Sequence, residues 1–162
     1  MDINRFTAVD LQKTIQDAIE LVGWRESGNE GSTRRWTVEY EMPDLPPIAG
    51  PAGELTYLFV NLLMNACEAM PDGGLINVGG RIEKGEVVVA IADQGCGIPC
   101  EMLTKIFDDS VTTKSSGSGW GLFMARELMR QLGGSIAAEN RPKGGALFTL
   151  RFPLATSINR AD

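Results

Sequence analysis

The chain has no histidine in its 162 residues and only three cysteines. A zinc site built on Cys96 and Cys100 would need about two more soft ligands, and there is no histidine to supply them. Cys67, Cys96 and Cys100 are an odd set with no basic-then-apolar leader ahead of them, so they are expected to be reduced thiols rather than a disulfide framework. Also missing is any apolar run near the roughly 20 residues of a membrane span. Basic charge is in deficit: 15 Lys and Arg against 21 Asp and Glu leave a net charge of −6. That balance repels nucleic acid phosphates and anionic lipid headgroups, so neither is expected as a partner. The expectation is a soluble cytoplasmic module in which any anionic ligand is gripped locally.

What is present suits one compact domain, with 43% hydrophobic and 22% charged residues. Leu55, Leu58, Phe59, Leu62, Leu63, Ala66 and Ala69 recur at helical spacing and predict an amphipathic helix over 55–70. Asn61, Asn65 and Glu68 fall at i, i+4 and i+7 of that helix and form a polar ridge on its flank.

Ahead of it, Asp10 can cap a helix whose Leu11, Ile15, Ala18, Ile19 and Val22 keep the same period. A polar loop over 27–32 follows. Trp36, Val38 and Tyr40 alternate with polar neighbours as in a half-exposed strand, and Pro46-Pro47 makes a stiff extended connector. After Pro71 and Gly73-Gly74 stop the Asn helix, the runs 75–82 and 86–92 predict a hairpin turning at Lys84-Gly85. The second run leads into Asp93. A short helix is expected over 99–106, then a mobile loop over 107–118, rich in Thr, Ser, Lys and Gly. Leu122, Ala125, Leu128, Met129 and Leu132 mark a further helix closed by Gly133-Gly134. Strands over 135–139 and 146–152 flank the turn 141–145. Hairpins interleaved with helices predict an α+β fold, a two-layer α/β sandwich with a mixed, mostly antiparallel sheet and helices on one face. Residues 1–154 are expected to form the domain and 155–162 a flexible tail.

Three segments can carry chemistry. In Asp93-Gln-Gly-Cys-Gly97 the glycines permit close approach of a flat ligand, and the carboxylate accepts from a donor such as the exocyclic amine of adenine. Plain Asp-x-Gly turns are also common. Gly117-Ser-Gly-Trp-Gly121 precedes a helix and can turn backbone N–H groups onto a phosphate, or simply start that helix. It follows a polar loop rather than a strand, which argues against a Rossmann fingerprint, and no Gly-Lys-Ser/Thr makes it a P-loop. Asn61 and Asn65 offer neutral carbonyl oxygens suited to a magnesium ion already ligated by nucleotide phosphates, or to satisfying loop backbone.

The order of these segments is more specific than any one of them. Asn-Leu-Leu-x-Asn-Ala, then Asp-x-Gly-x-Gly-Ile, then Phe-Asp-x-x-x-Thr-Thr-Lys, then Gly-x-Gly-x-Gly-Leu resembles the Bergerat-type ATP-binding domain of the GHKL superfamily. Within it the chain is most similar to the catalytic domain of bacterial sensor histidine kinases, and Asn-Ala-x-x-Ala-Met-Pro resembles the nitrogen-regulatory type. The resemblance runs from about Leu11 to Pro153.

The resemblance implies ATP and Mg2+ as ligands, with Asn65 on the metal, Asn61 near the phosphates and Glu68 at the metal's water shell or in solvent. Asp93 would read the adenine amine, with Gly95, Gly97 and Ile98 shaping the pocket. Thr112, Thr113 and Lys114 would belong to an ATP lid, and Gly117, Ser118, Gly119, Trp120, Gly121 and Leu122 would meet the phosphates. In related hydrolases the position of Asn61 is a glutamate that activates water. An amide there cannot take a proton, which implies γ-phosphoryl transfer to a histidine rather than hydrolysis. With no histidine in the chain, that acceptor would lie on a separate dimerisation domain. A response regulator would follow it, and the isolated chain would be a monomer. Trp120 stands where leucine is usual, Asp109-Ser110-Val111 replaces a more apolar stretch, and Ala146 replaces a threonine that supports the adenine's water network. Two other readings remain open: an anti-sigma factor that phosphorylates serine on an antagonist, and a nucleotide-sensing module without transfer.

Overall fold

The structure is a computed structural model and describes residues 6–27, 36–108 and 120–154. In chain order the elements are β1 (Thr7–Val9), α1 (Leu11–Ser27), β2 (Trp36–Glu41), β3 (Ile48–Gly50), α2 (Ala52–Ala69), β4 (Gly74–Glu83) and β5 (Glu86–Ala92). They continue with α3 (Trp120–Gln131), β6 (Ser135–Asn140) and β7 (Ala146–Pro153).

Local chemistry accounts for most boundaries. The N–H of Lys13 donates to Asp10 Oδ1 at 3.2 Å, so Asp10 caps α1 as its position suggested. α2 starts at Ala52, earlier than the apolar period predicts, because its first turn is exposed and carries no apolar stripe to read. Extended backbone at Pro51 (φ −84°, ψ 109°) sets that start. Lys84 and Gly85 have φ of 51° and 77°, the two left-handed positions of a type I′ turn, and Glu83 pairs with Glu86 across it. α3 ends in a Schellman motif: Gly134 N–H donates to Met129 O at 2.8 Å and Gly133 N–H to Arg130 O at 3.0 Å, with Gly133 at φ 76°.

The main sheet has five strands in the order β2-β4-β5-β7-β6. β2 runs parallel to β4 and every other pairing is antiparallel, so the sheet is mixed and mostly antiparallel as expected. Helices cover one face. Along β7, Ala146, Phe148, Leu150 and Phe152 are buried beneath them, while Leu147, Thr149 and Arg151 face the other way. Phe59 of α2 and Phe152 of β7 have ring centroids 6.4 Å apart, joining the two layers. On the open face Arg81 donates to Glu83 at 2.8 Å, and this bond and charge hold the Glu83 carboxyl below the usual carboxylate range.

Two features depart from the sequence expectation. β1 and β3 form a small antiparallel sheet with Val9 opposite Ile48, so the segment after Pro47 is a strand and not only a connector. Three residues per strand are too few to show a period of two. The segment 99–106 is a series of turns rather than a helix: Met102 N–H bonds Pro99 O and Lys105 N–H bonds Met102 O, both at 2.8 Å. Of its side chains only Ile106 is fully buried, so little packing offsets the cost of helix nucleation.

Candidate functional site

β5 delivers Asp93 to the end of the sheet, where the residue is buried at 4% exposure. Its N–H donates to Ala146 O at 3.0 Å. Its Oδ1 accepts from Gly95 N–H at 2.8 Å and from Ala146 N–H at 3.1 Å. No described residue donates to Oδ2. A buried carboxylate with one oxygen committed to backbone thus retains acceptor capacity on the other.

The side chain borders a cavity of about 270 Å3, whose walls include Asn65, Glu68, Ile98, Met102, Leu122 and Phe148. Gly97, Cys96 and Ala146 also reach it. Asn65 is half-buried and Glu68 exposed. Asn61 does not open into that space. It lies in an adjoining cavity of about 330 Å3 between α2 and α3, where a Cβ on Gly121 would stand 3.5 Å from Asn61 Cγ. The ridge read from the sequence therefore serves two neighbouring cavities, because four residues advance about 6 Å along a helix axis. The start of α3 touches both, through Gly121 and Leu122.

Thr112, Thr113, Lys114, Gly117, Ser118 and Gly119 lie outside the described residues. Trp120 is the first residue of α3. Phe107, at the head of the expected loop, packs edge-on against Phe148 with centroids 6.3 Å apart.

The loop from Asp93 to Ile98 is held from two sides. On one, Cys96 N–H donates to Ala69 O at 3.3 Å and Gln94 N–H to Met70 Sδ at 3.4 Å. Gly95 is required there, since a Cβ would come within 2.5 Å of Ala69 O. On the other, Asn140 bonds both backbone groups of Ile98, and Arg141 Nη1 donates to Asp93 O at 2.7 Å. Sequence reasoning missed Asn140 and Arg141. Their only signal was a polar residue ending a strand before a Pro and paired glycines.

Chemically the cavity offers a buried carboxylate acceptor in apolar walls beside a neutral carboxamide. That arrangement suits a flat, amine-bearing ring with a polar extension. Among the described residues no group of three or more His, Cys, Asp or Glu converges on one point, so a metal would need ligands from the bound molecule.

Residues 50–156 match the family described as histidine kinase-, DNA gyrase B- and HSP90-like ATPases. The chain belongs to that family. Within it, the chain is 33% identical over 151 residues to the sensor histidine kinase ZraS of Klebsiella oxytoca, covering 93% of this chain and 32% of that protein. It is 33% identical over 131 residues to the sensory histidine kinase/phosphatase NtrB of Rhodobacter capsulatus, covering 73% of this chain and 37% of that one. The chain thus spans about a third of the length of the curated relatives it matches. Among solved structures, the catalytic domain of histidine kinase ThkA superposes with a TM-score of 0.78 at 28% identity, over 91% of this chain and 95% of that domain. This ATPase-family fold is therefore the histidine kinase catalytic domain in architecture. No helix among the described residues is long and apolar enough to cross a membrane.

Proposed function

We propose that this chain binds Mg-ATP and donates the γ-phosphoryl group to a histidine on a separate phosphoacceptor domain, as the catalytic part of a two-component sensor kinase. The observation that carries this is Asp93, buried at the cavity wall with Oδ1 bonded to backbone and Oδ2 without a donor among the described residues. Adenine's exocyclic amine is a donor of the right kind, and Ile98 and Phe148 supply the apolar walls for its ring.

From there the ligand's phosphates would run toward α2 and the start of α3. Asn65 would give a carbonyl oxygen to the magnesium ion, with Glu68 near its waters. The ion, when bound, neutralises charge on the transferring phosphoryl group. Asn61 and Gly121 lie further along the same helices and would meet the phosphates. Thr112, Thr113, Lys114, Gly117, Ser118, Gly119 and Trp120 complete the proposed lid and phosphate loop. Because Asn61 is an amide and takes no proton, water is not activated beside the phosphates, and transfer is favoured over hydrolysis.

The 162 residues contain no histidine, so the acceptor lies outside them. We take 1–154 as one catalytic domain, supported by a continuous core that α1, α2, α3 and the main sheet all enter, and 155–162 as its tail. Its partners would be the dimerisation domain that carries the acceptor and, through it, a response regulator. Its place would be the cytoplasmic side, where ATP is available.

Mixing the chain with its acceptor domain and ATP labelled at the γ-phosphate tests the reading. Acid-labile, base-stable label on the acceptor's histidine is expected. ATP demonstrably bound with no label transferred would overturn the kinase assignment.

A further inference from the structure

The turn between β6 and β7 makes no part of the cavity wall, yet it contacts the backbone of the loop that does. Asn140 forms a two-pronged clasp on Ile98, 42 residues away: Ile98 N–H donates to Asn140 Oδ1 and Asn140 Nδ2 donates to Ile98 O, each at 2.7 Å. One residue on, Arg141 Nη1 donates to the carbonyl of Asp93. Gly145 lies so close to that carbonyl that any Cβ would overlap it. Beyond Ala92 the loop has left β5, so these groups replace the ladder that would otherwise fix it.

We propose that Asn140 and Arg141 are positioning residues of the nucleotide site, holding Asp93 and Ile98 in the binding shape before the nucleotide arrives. The inference rests on the nucleotide reading above. Its physical basis is that apparent affinity falls by the fraction of molecules in which the loop is competent. Only a carboxamide serves at position 140 in this way, because it offers one acceptor and one donor side by side. Aspartate would retain the acceptor for Ile98 N–H but set a second acceptor against Ile98 O. Gly97 belongs to the same device: its φ is 75°, and a Cβ there would stand 2.9 Å from Asn140 Oδ1. Asn140 is exposed and outside the core. Its removal therefore acts on the loop rather than on the fold.

The test uses Asn140→Ala, Asn140→Asp and Arg141→Met beside wild type, with three readouts: thermal midpoint, amide exchange at Ile98, and ATP affinity. In Asn140→Ala we expect a midpoint within a few degrees of wild type and Ile98 exchange faster by about tenfold or more. ATP should bind on the order of tenfold more weakly. With the acceptor domain present, the KM for ATP should rise while kcat at saturation stays at the wild-type value, a split that a purely structural role would not produce. Asn140→Asp should behave like Asn140→Ala despite its similar size. Faster Ile98 exchange with unchanged ATP affinity would overturn the proposal, as would unchanged exchange. If Asn140→Ala does not fold, Asn140→Asp and Arg141→Met carry the same comparison. Wild type that binds ATP no better than the variants sinks this inference alone. Wild type that binds no adenine nucleotide, while Ile98 is protected, sinks the nucleotide reading and this inference with it.

Discussion

Asp93 and Ala146 are bonded to each other twice. The N–H of Asp93 donates to Ala146 O at 3.0 Å, and the N–H of Ala146 donates to Asp93 Oδ1 at 3.1 Å. The regular β5–β7 register ends one pair earlier, at Ala92 opposite Leu147, so the carboxylate supplies the acceptor for one more rung. The sheet itself thereby orients the side chain at the cavity wall, with Oδ1 bonded and Oδ2 accepting from no described residue. A site residue anchored this way needs little reorganisation on binding.

Gly145 lies directly beneath this pair. Its φ is 90°, and a Cβ would overlap Asp93 O. Gly145→Ala should therefore lower stability by more than about 1–3 kcal/mol, the usual cost of one strained backbone position, since steric overlap adds to it. Denaturant unfolding checks this. Gly144→Ala is the control, because a Cβ there meets nothing within 4 Å although its φ is also positive, at 100°.

Cys96 offers a test of the proposed occupancy. It is exposed and borders the Asp93 cavity, whereas Cys100 is exposed away from it and Cys67 is buried. Saturating Mg-ATP should slow the reaction of Cys96 with a thiol reagent in Cys100→Ser protein several-fold. It should leave Cys100 unaffected in Cys96→Ser protein. Equal protection of both thiols would point to global closure instead.

Much of this was legible in the sequence, and the exceptions have a common cause. α2, the Lys84-Gly85 hairpin and the end of α3 each declare themselves through a local period or a residue with restricted backbone, and each is present, α2 with one more turn at its start than the period shows. β1 and β3 pair residues that lie about 40 apart in the chain, through three residues apiece, so nothing local encodes them. The turns over 99–106 keep a helix-like spacing but lack the packing that would make a helix. At the candidate site, Asp93 and Asn65 border one cavity, while Asn61 opens into its neighbour. Asn140 and Arg141 escaped notice because their partners, Ile98 and Asp93, lie 42 and 48 residues away.

Ala146 offers a gain-of-affinity test. It is buried and borders the cavity beside Asp93. Ala146→Thr would add a hydroxyl that can bond a water or the ring, worth about 1 kcal/mol by the usual net value. Titration calorimetry should show ATP binding several-fold more tightly. Weaker binding with an unchanged thermal midpoint would mean that the added group occupies space the ring needs.

Tyr40, on β2, sets a pH limit on stability. Burial, helped by the nearby Asp10 carboxylate, raises its phenol above the ordinary 10.0. The folded chain therefore holds this proton where the unfolded chain has lost it. Stability from this group is complete below pH 10 and declines as pH rises through the folded value. Tyr40→Phe should show a shallower loss of stability above pH 10, read by denaturant unfolding across that range.

The most direct test of the account is ATP and GTP binding to wild type and Asp93→Asn, measured with magnesium by titration calorimetry. The amide oxygen can still accept from Ala146 and Gly95, so the fold should persist, but an NH2 group would replace the free acceptor. Adenine presents a donor at that edge and guanine a carbonyl acceptor. The account predicts ATP affinity lower by at least about tenfold, as expected for losing a hydrogen bond to a charged group of about 1.5–3 kcal/mol, and a smaller preference for ATP over GTP. Asp93→Asn protein that binds ATP as tightly as wild type would contradict it.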